Sequence, residues 1–321
     1  MHVLVTGAGL LGAHSAAALI ERGHSVTLVD AAPDDAYVRS VEGAAVRLET
    51  GDVTDLPRIV ELAVRAEAVV HTAGRIGPVA QADPHRAFAV NVMGTANVAE
   101  AARLSGTRRV VFASTHGVYD WNASDDAPMT ERSPTAARGV YAASKLAAEH
   151  ILQAYADAYG LEVIALRLCN LFGRGHYMAG SRGGEAFNEL IVCAARGDVA
   201  RIRPQASGRG EWLYAKDAAR AVAAAVDASP VPGDAERFTI VNVGSGRLAG
   251  PDDIIAAIRA VVPDARFGEP EPPGRERRQP FDLATARRML GWEPTFTLDS
   301  AIADYVAEVR LTGEASRPRD R

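Results

Sequence analysis

The chain has 321 residues, 48% hydrophobic and 23% charged, with a formal net charge of −5. That is apolar material for a large core, as one two-lobed domain or two small ones. The modest charge and scattered arginines exclude a basic face for nucleic acid. The apolar runs fall far short of a membrane span. The cysteines, Cys169 and Cys193, make neither a metal site nor a disulfide framework. No metal is expected, and the predicted compartment is the reducing cytoplasm, since MHVLVTG opens directly on a strand with no leader pattern.

In chain order the predicted strands are 2–6 (HVLVT), 25–30, 44–49, 68–73, 108–114 and 161–167. Helical patterns lie between them, around 11–22, 55–65, 84–105 and 140–159. Apolar strands alternating with amphipathic helices predict a parallel sheet covered on both faces, with right-handed crossovers. After about residue 170 the rhythm changes. Gly, Arg and Pro crowd 173–184, 201–210 and 268–280, which are loop compositions. Helices are expected at about 216–227, 251–261, 283–290 and 298–310, a strand at 237–243, and a frayed tail, TGEASRPRDR. There are no internal repeats.

The first strand runs into Gly7-Ala8-Gly9-Leu10-Leu11-Gly12 and then a helix. In that strand–turn–helix context GxGxxG predicts a dinucleotide site. Gly7 permits the turn, Gly9 lets a pyrophosphate approach the backbone, and Gly12 lets the helix pack on the strand. The helix N-terminus offers free N–H groups to phosphate. Asp30 ends the second strand, 18 residues past Gly12. A carboxylate there accepts from ribose hydroxyls and repels a 2′-phosphate, favouring NAD over NADP. Its rival role is capping the following turn. Asp52 either faces the adenine or caps the helix 55–65, a task Thr54 or Asp55 would do as well.

Tyr141 and Lys145 stand four apart at the start of a helical segment, hence on one face. An ammonium near the phenol is expected to lower its pKa, making Tyr141 a proton-transfer group at an alcohol or carbonyl oxygen. The alternative is a surface pair. The strand 108–114 leads into Ser114-Thr115-His116, where a doubly wound sheet places ligands. Thr115 is the chosen hydroxyl for the reacting oxygen, and Ser114 its rival. His116 is either a second acid–base or substrate group or a solvated histidine.

These residues, with GDVTD (51–55), HTAG (71–74), NVMGTANV (91–98), YAASK (141–145), RLCNLFGRG (167–175), YAKDAARAV (214–222), NVGSG (242–246) and LGWEPTFTLDSAI (290–302), resemble the extended short-chain dehydrogenase/reductases. More narrowly, the chain resembles the NAD-dependent epimerase/dehydratase group over nearly its whole length. The resemblance implies a doubly wound (Rossmann) α/β sheet with a smaller C-terminal lobe. Residues 1–168 would bind NAD, with 210–245 returning to that domain. Residues 169–209 and 246–321 would bind substrate. Thr115, Tyr141 and Lys145 become the catalytic set. Cofactor contacts extend to Leu10, Leu11, Val53, Thr72, Ala73, Gly74, Asn91, Ala113, Ser114 and Leu168. Substrate contacts fall on Arg75, Thr115, His116, Asn170, Arg174, Arg209 and Arg275. Homodimerisation through about 84–105 and 140–159 is also implied.

Three departures bear on function. The turn is one residue shorter than the family's GxxGxxG. His116-Gly117 stands where sugar 4,6-dehydratases carry Asp-Glu, which argues against a dehydratase. Glycine also holds the place of an arginine that pairs with a substrate diphosphate, in Gly208-Arg209-Gly210-Glu211-Trp212. Arg209, Arg275, Arg277 or Arg278 is left to serve. His176, Tyr177, Ser181 and Arg182 also stand near the pocket in the sequence. The last departure tilts the expectation toward a dehydrogenase or reductase of a sugar acid, polyol or related hydroxy compound. The alternative is a nucleotide-sugar epimerase with tightly held NAD, and a non-catalytic NAD-binding protein is a third reading.

Overall fold

A computed structural model describes residues 1–42, 46–122, 127–175, 182–204, 206, 208–229, 237–272, 277 and 279–312. Its strands are β1 (His2–Thr6), β2 (Ser25–Asp30), β3 (Arg47–Thr50), β4 (Ala68–His71), β5 (Arg109–Thr115), β6 (Glu162–Leu168), β7 (Asn170–Phe172), β8 (Val199–Ala200), β9 (Gly210–Tyr214), β10 (Phe238–Val243), β11 (Leu248–Ala249) and β12 (Arg266–Phe267). Seven form one sheet in the order β10-β6-β5-β4-β1-β2-β3. Every pairing in it is parallel. The order reverses beside β1, which opens a crevice beyond the strand ends there.

Alternate strand residues feed two separate cores, as both-face burial requires. Val3, Val5, Val111 and Ala113 pack against the helices Leu10–Glu21 and Ala215–Asp227. Leu4, Val110 and Phe112 pack against Leu56–Ala63, Gly94–Ser105 and Val140–Tyr159. A third core unites the helices Arg182–Arg196, Pro251–Val261 and Leu298–Thr312 around Phe187, Ile258 and Tyr305.

Three departures from expectation matter. The helix predicted at 84–105 is broken into Pro84–Phe88, a π-turn at Ala89–Met93, and Gly94–Ser105. A π-turn adds one residue to a helical turn and re-aims its side chains, and Asn91 sits on it. Helices at Asp35–Glu42, Gly77–Ala82 and Arg182–Arg196 were not expected. Finally, β9 does not join the large sheet. It pairs with β7 and β11, so the chain returns to the large sheet with the helix Ala215–Asp227 and β10.

Candidate active site

The Gly7–Gly12 turn lies over the end of β1, between β2 and β4. Gly7 has φ +91°, and a Cβ on it would stand 2.6 Å from the Ala73 nitrogen. A Cβ on Gly12 would fall on the Gly7 carbonyl, while one on Gly9 would meet nothing within 4 Å. Two glycines are therefore forced by packing, and Gly9 leaves open space at the N-terminus of the helix Leu10–Glu21. No side chain caps that terminus, so its N–H groups are available to an anion. The Thr72 hydroxyl fastens the turn through the carbonyls of Thr6 and Gly7, at 2.8 and 3.0 Å.

A groove of about 810 Å³ runs from this turn across the ends of β1, β2, β4 and β5. Every residue expected to contact the cofactor lines it except Asn91. The Asp30 carboxylate stands at the β2 end of the groove. It accepts from Ala8 N and Ala32 N at 2.8 and 2.9 Å, so it ties the glycine turn to its own strand while facing the groove. Asp55, not Asp52, caps the helix Leu56–Ala63. Asp52 accepts from the Thr54 backbone and hydroxyl and from Arg86 Nη2 at 2.7 Å. Burial opposes the charge on Asp52, but these hydrogen bonds outweigh it and hold the pKa below its ordinary value.

Asn91 works from behind the groove. Its Oδ1 accepts from Arg75 N at 2.7 Å, and its Nδ2 donates to Arg75 O and to the Ser144 hydroxyl. It thus clamps the segment after β4 to the helix Val140–Tyr159. That helix also carries Tyr141 and Lys145. The Lys145 ammonium lies 4.5 Å from the Phe112 ring centroid, and a Cβ on Gly74 would stand 3.5 Å from its Nζ. Lys145 is 2% exposed. Burial pulls its pKa down to about 7, against an opposing pull from Glu149.

Tyr141 lines the groove together with Thr115. Its phenol is not lowered as expected. Burial pushes it up to about 12, and the neighbouring Thr115 hydroxyl opposes that only in part. Lys145 leans on the Phe112 ring, and burial dominates the pKa of both groups. The Ser114 hydroxyl turns away from Tyr141 and donates to Glu149. Glu149 is itself paired with Arg167 through contacts of 3.0 and 2.7 Å.

A second cavity, of about 470 Å³, adjoins the groove. The two share Gly77, Gln81, Thr115, His116, Tyr141 and Asn170. Its wall carries Arg138, Arg209 and Arg277. Arg209, displaced by one in the sequence, therefore still reaches this cavity. His116 is half-buried where the two cavities meet. Burial first, then Arg277, lower its pKa to about 3, against a hydrogen bond with Asn170.

Two expected substrate contacts lie elsewhere. Arg75 lines only the dinucleotide groove, because Asn91 fixes its backbone there. Arg174 reaches across to Ser40 O at 2.8 Å, and its carbonyl meets the His14 ring at 2.9 Å. The segment 173–175 is thus a strap on the dinucleotide side, not a wall of the second cavity. Arg275, with Arg278, His176, Tyr177, Ser181, the Arg182 side chain and the terminal 313–321, lies outside the described residues. The sequence does not single out Arg277 among its basic neighbours, since nothing in a loop's spacing says which side chain turns inward. The described residues contain no helix long and apolar enough to cross a membrane and no metal-binding cluster.

Comparison with known proteins agrees with this geometry. The UDP-glucose 4-epimerase of Mycolicibacterium smegmatis is 32% identical over 95% of this chain and 97% of its own length. That of Corynebacterium glutamicum is 30% identical over 98% of both chains. The solved UDP-glucose 4-epimerase of Thermus thermophilus in complex with NAD superposes with a TM-score of 0.80 at 28% identity, covering 97% of this chain and 99% of that one. Residues 3–244 match the profile of the NAD dependent epimerase/dehydratase family. With its seven-stranded parallel sheet and fingerprint turn, the chain belongs to that family of NAD-dependent enzymes.

Proposed function

We propose that the protein is a nucleotide-sugar epimerase that keeps its NAD through the catalytic cycle. The observation carrying this is the second cavity. It meets the dinucleotide groove at Thr115 and Tyr141 and is walled by three arginines, as a substrate with an anionic diphosphate requires. The expectation of a small sugar acid or polyol rested on a missing arginine, and Arg209 and Arg277 on the cavity wall remove that ground. The full-length relatives named as epimerases support the same reading.

The groove residues fit a dinucleotide. The glycine turn and helix N-terminus suit the pyrophosphate, Asp30 the adenosine ribose, and Asp52 and Val53 the adenine side. When bound, NAD would supply the hydride acceptor. Tyr141 takes the proton of the substrate hydroxyl and later returns it. Thr115 orients the phenol and the reacting oxygen. Lys145 holds the base of the site with a charge that varies near neutrality. The carbinol becomes a carbonyl and is restored with the opposite hand, so no cofactor need leave. The 173–175 strap suits that economy. In this reading residues 1–168, with the helix Ala215–Asp227 and β10, form the cofactor domain, and the remainder closes on the sugar.

Exposed Phe88, Met93, Leu104 and Tyr159 on or beside the helices Gly94–Ser105 and Val140–Tyr159 favour a homodimer through that face. A monomeric mass by sedimentation would remove this part. The deciding experiment is the NAD content of the purified protein, followed by UDP-glucose turnover to its 4-epimer. Near-stoichiometric NAD with epimerisation is expected. A protein that arrives empty and releases NADH from a sugar acid would be a dehydrogenase.

A further inference from the structure

His71 closes β4, one residue before Thr72, Ala73 and Gly74, which line the groove. It is itself 0% exposed and outside the groove, so its ring does not touch the cofactor. Both ring nitrogens are nevertheless engaged. Nδ1 lies 2.6 Å from the Thr6 hydroxyl and Nε2 lies 3.0 Å from the Thr95 hydroxyl. The Thr95 hydroxyl in turn donates to the Asn91 carbonyl at 2.6 Å. A peptide carbonyl only accepts, so that proton is committed. Thr95 Oγ1 must then accept from His71, which puts the imidazole proton on Nε2. Nδ1 is left to accept from the Thr6 hydroxyl. The bonds therefore run one way, from Thr6 to His71 to Thr95 to Asn91, and one neutral tautomer fits them. Burial, then the Lys145 charge, lower the His71 pKa to about 3, so the ring stays neutral. It stacks on the Phe112 ring, 5.6 Å between centroids, which fixes its plane.

This chain of bonds holds the π-turn Ala89–Met93. A threonine hydroxyl bonded to the carbonyl four residues back competes with the helix's own N–H and bends the helix. Thr95 does this to Asn91. The turn aims the Asn91 side chain at Arg75 and at the Ser144 hydroxyl. Ser144 carries the connection onward, because its hydroxyl donates to Tyr141 O at 2.8 Å. One end of the network thus stands at Thr6, beside Gly7 of the fingerprint turn, and the other on the backbone of the proton-transfer tyrosine. Thr6, Thr95 and Ser144 are 0% exposed and Asn91 is 1% exposed, so solvent does not compete for these bonds.

We propose that His71 is a positioning residue for the proton-transfer site. In its Nε2–H form it keeps the Thr95 hydroxyl on the Asn91 carbonyl, and so keeps the π-turn clamped to the helix that carries Tyr141 and Lys145. A buried histidine that merely fills the core would affect stability alone.

The test compares the wild type with His71→Phe, His71→Gln, Thr95→Val and the double variant of His71→Phe with Thr95→Val. Phenylalanine keeps a ring to stack on Phe112 but donates nothing. Glutamine reaches Thr95 with an amide donor. Imidazole nitrogen NMR of the wild type should show His71 as the Nε2–H tautomer from pH 6 to 9; the Nδ1–H form, or a charged ring at pH 6, overturns the proposal. With UDP-glucose, His71→Phe and Thr95→Val should each lower kcat by about tenfold to a hundredfold, with KM and NAD content near wild type. His71→Gln should restore most of the loss, and the double variant should be no worse than either single one. An unchanged kcat, a loss expressed in KM, or losses that multiply in the double variant overturn the proposal. Backbone amide exchange needs no substrate. In His71→Phe and Thr95→Val it should quicken about tenfold or more in residues 144–148 relative to the rest of the chain, and recover in His71→Gln. Exchange that quickens evenly along the chain, in step with a lower melting temperature, makes His71 a core residue only and overturns the proposal. The turnover arm alone rests on the epimerase reading. If the wild type does not turn over UDP-glucose, that reading falls, and the tautomer and the exchange pattern decide for His71.

Discussion

Replacing Lys145 with methionine should stabilise the cofactor-free protein while abolishing its chemistry. The ammonium is 2% exposed, and its pKa falls from 10.5 to about 7, chiefly through burial. That drop corresponds to roughly 4–5 kcal/mol of preference for the neutral form. The Phe112 ring face, 4.5 Å from Nζ, returns about 1 kcal/mol to the cation. The net cost of holding the charge is then on the order of 3 kcal/mol near and below neutrality. The sign follows from proton counts. Between about pH 7 and 10.5 the unfolded chain holds a proton on Lys145 that the folded chain has shed, so wild-type stability rises with pH across that window. Methionine fills similar space, stays neutral and lacks this slope. The assay is urea unfolding of both proteins, stripped of cofactor, at pH 6, 8 and 10. Lys145→Met should be the more stable by a few kcal/mol at pH 6, with the advantage shrinking toward pH 10. A variant no more stable than wild type at pH 6, or an advantage that does not change with pH, would refute the reasoning.

Tyr141→Phe should lower turnover by about 10²–10⁴-fold while leaving NAD content and melting temperature near wild type; unchanged turnover removes Tyr141 from the chemistry. Thr115→Val should act on turnover, whereas Ser114→Ala, which leaves Glu149 with Arg167 alone, should act mainly on stability, by about 1–3 kcal/mol; the reverse pattern would exchange their roles. Asp30→Ala should weaken reconstitution of stripped protein with NAD far more than with NADP, and an unchanged ratio would end the ribose assignment. Arg174→Ala, which cuts the strap from Ser40 O, should hasten NAD loss on dialysis, and an unaltered retention time would mean that the strap retains nothing.

Much of the cofactor half is legible in the sequence because both ends of its logic are local. A strand of alternating core residues, a turn with no room for Cβ at Gly7 and Gly12, and a carboxylate at the next strand end each follow from a few neighbouring residues. The substrate half is not local. The Arg182–Arg196 helix opens with RGG, so composition reads as loop although Phe187, Leu190, Ile191 and Ala194 recur at helical spacing and are buried. Arg174 and Arg277 both stand in Gly- and Arg-rich segments, yet one reaches back to the helix Asp35–Glu42 and the other turns into the cavity. Only long-range packing, through Ser40 in one case and Trp121, Phe281 and Glu211 in the other, distinguishes them.

The choice between Ser114 and Thr115 shows where the missing information lay. One residue of register on a strand reverses which face a hydroxyl sees, so inspection of β5 alone leaves the two equivalent. The helix Val140–Tyr159 breaks the tie. Tyr141, Lys145 and Glu149 recur at intervals of four and form one stripe, laid along β5. Tyr141 meets Thr115, Lys145 meets the Phe112 ring, and Glu149 takes Ser114. Glu149 is held in place by Arg167, which pairs with Ser114 across β5 and β6. The buried ion pair thus fixes how the helix lies on the strand, and that register leaves Thr115 as the hydroxyl at the phenol. The sequence shows the tyrosine and lysine as a pair, but the stripe has a third member, Glu149, and the third member is what aims the first.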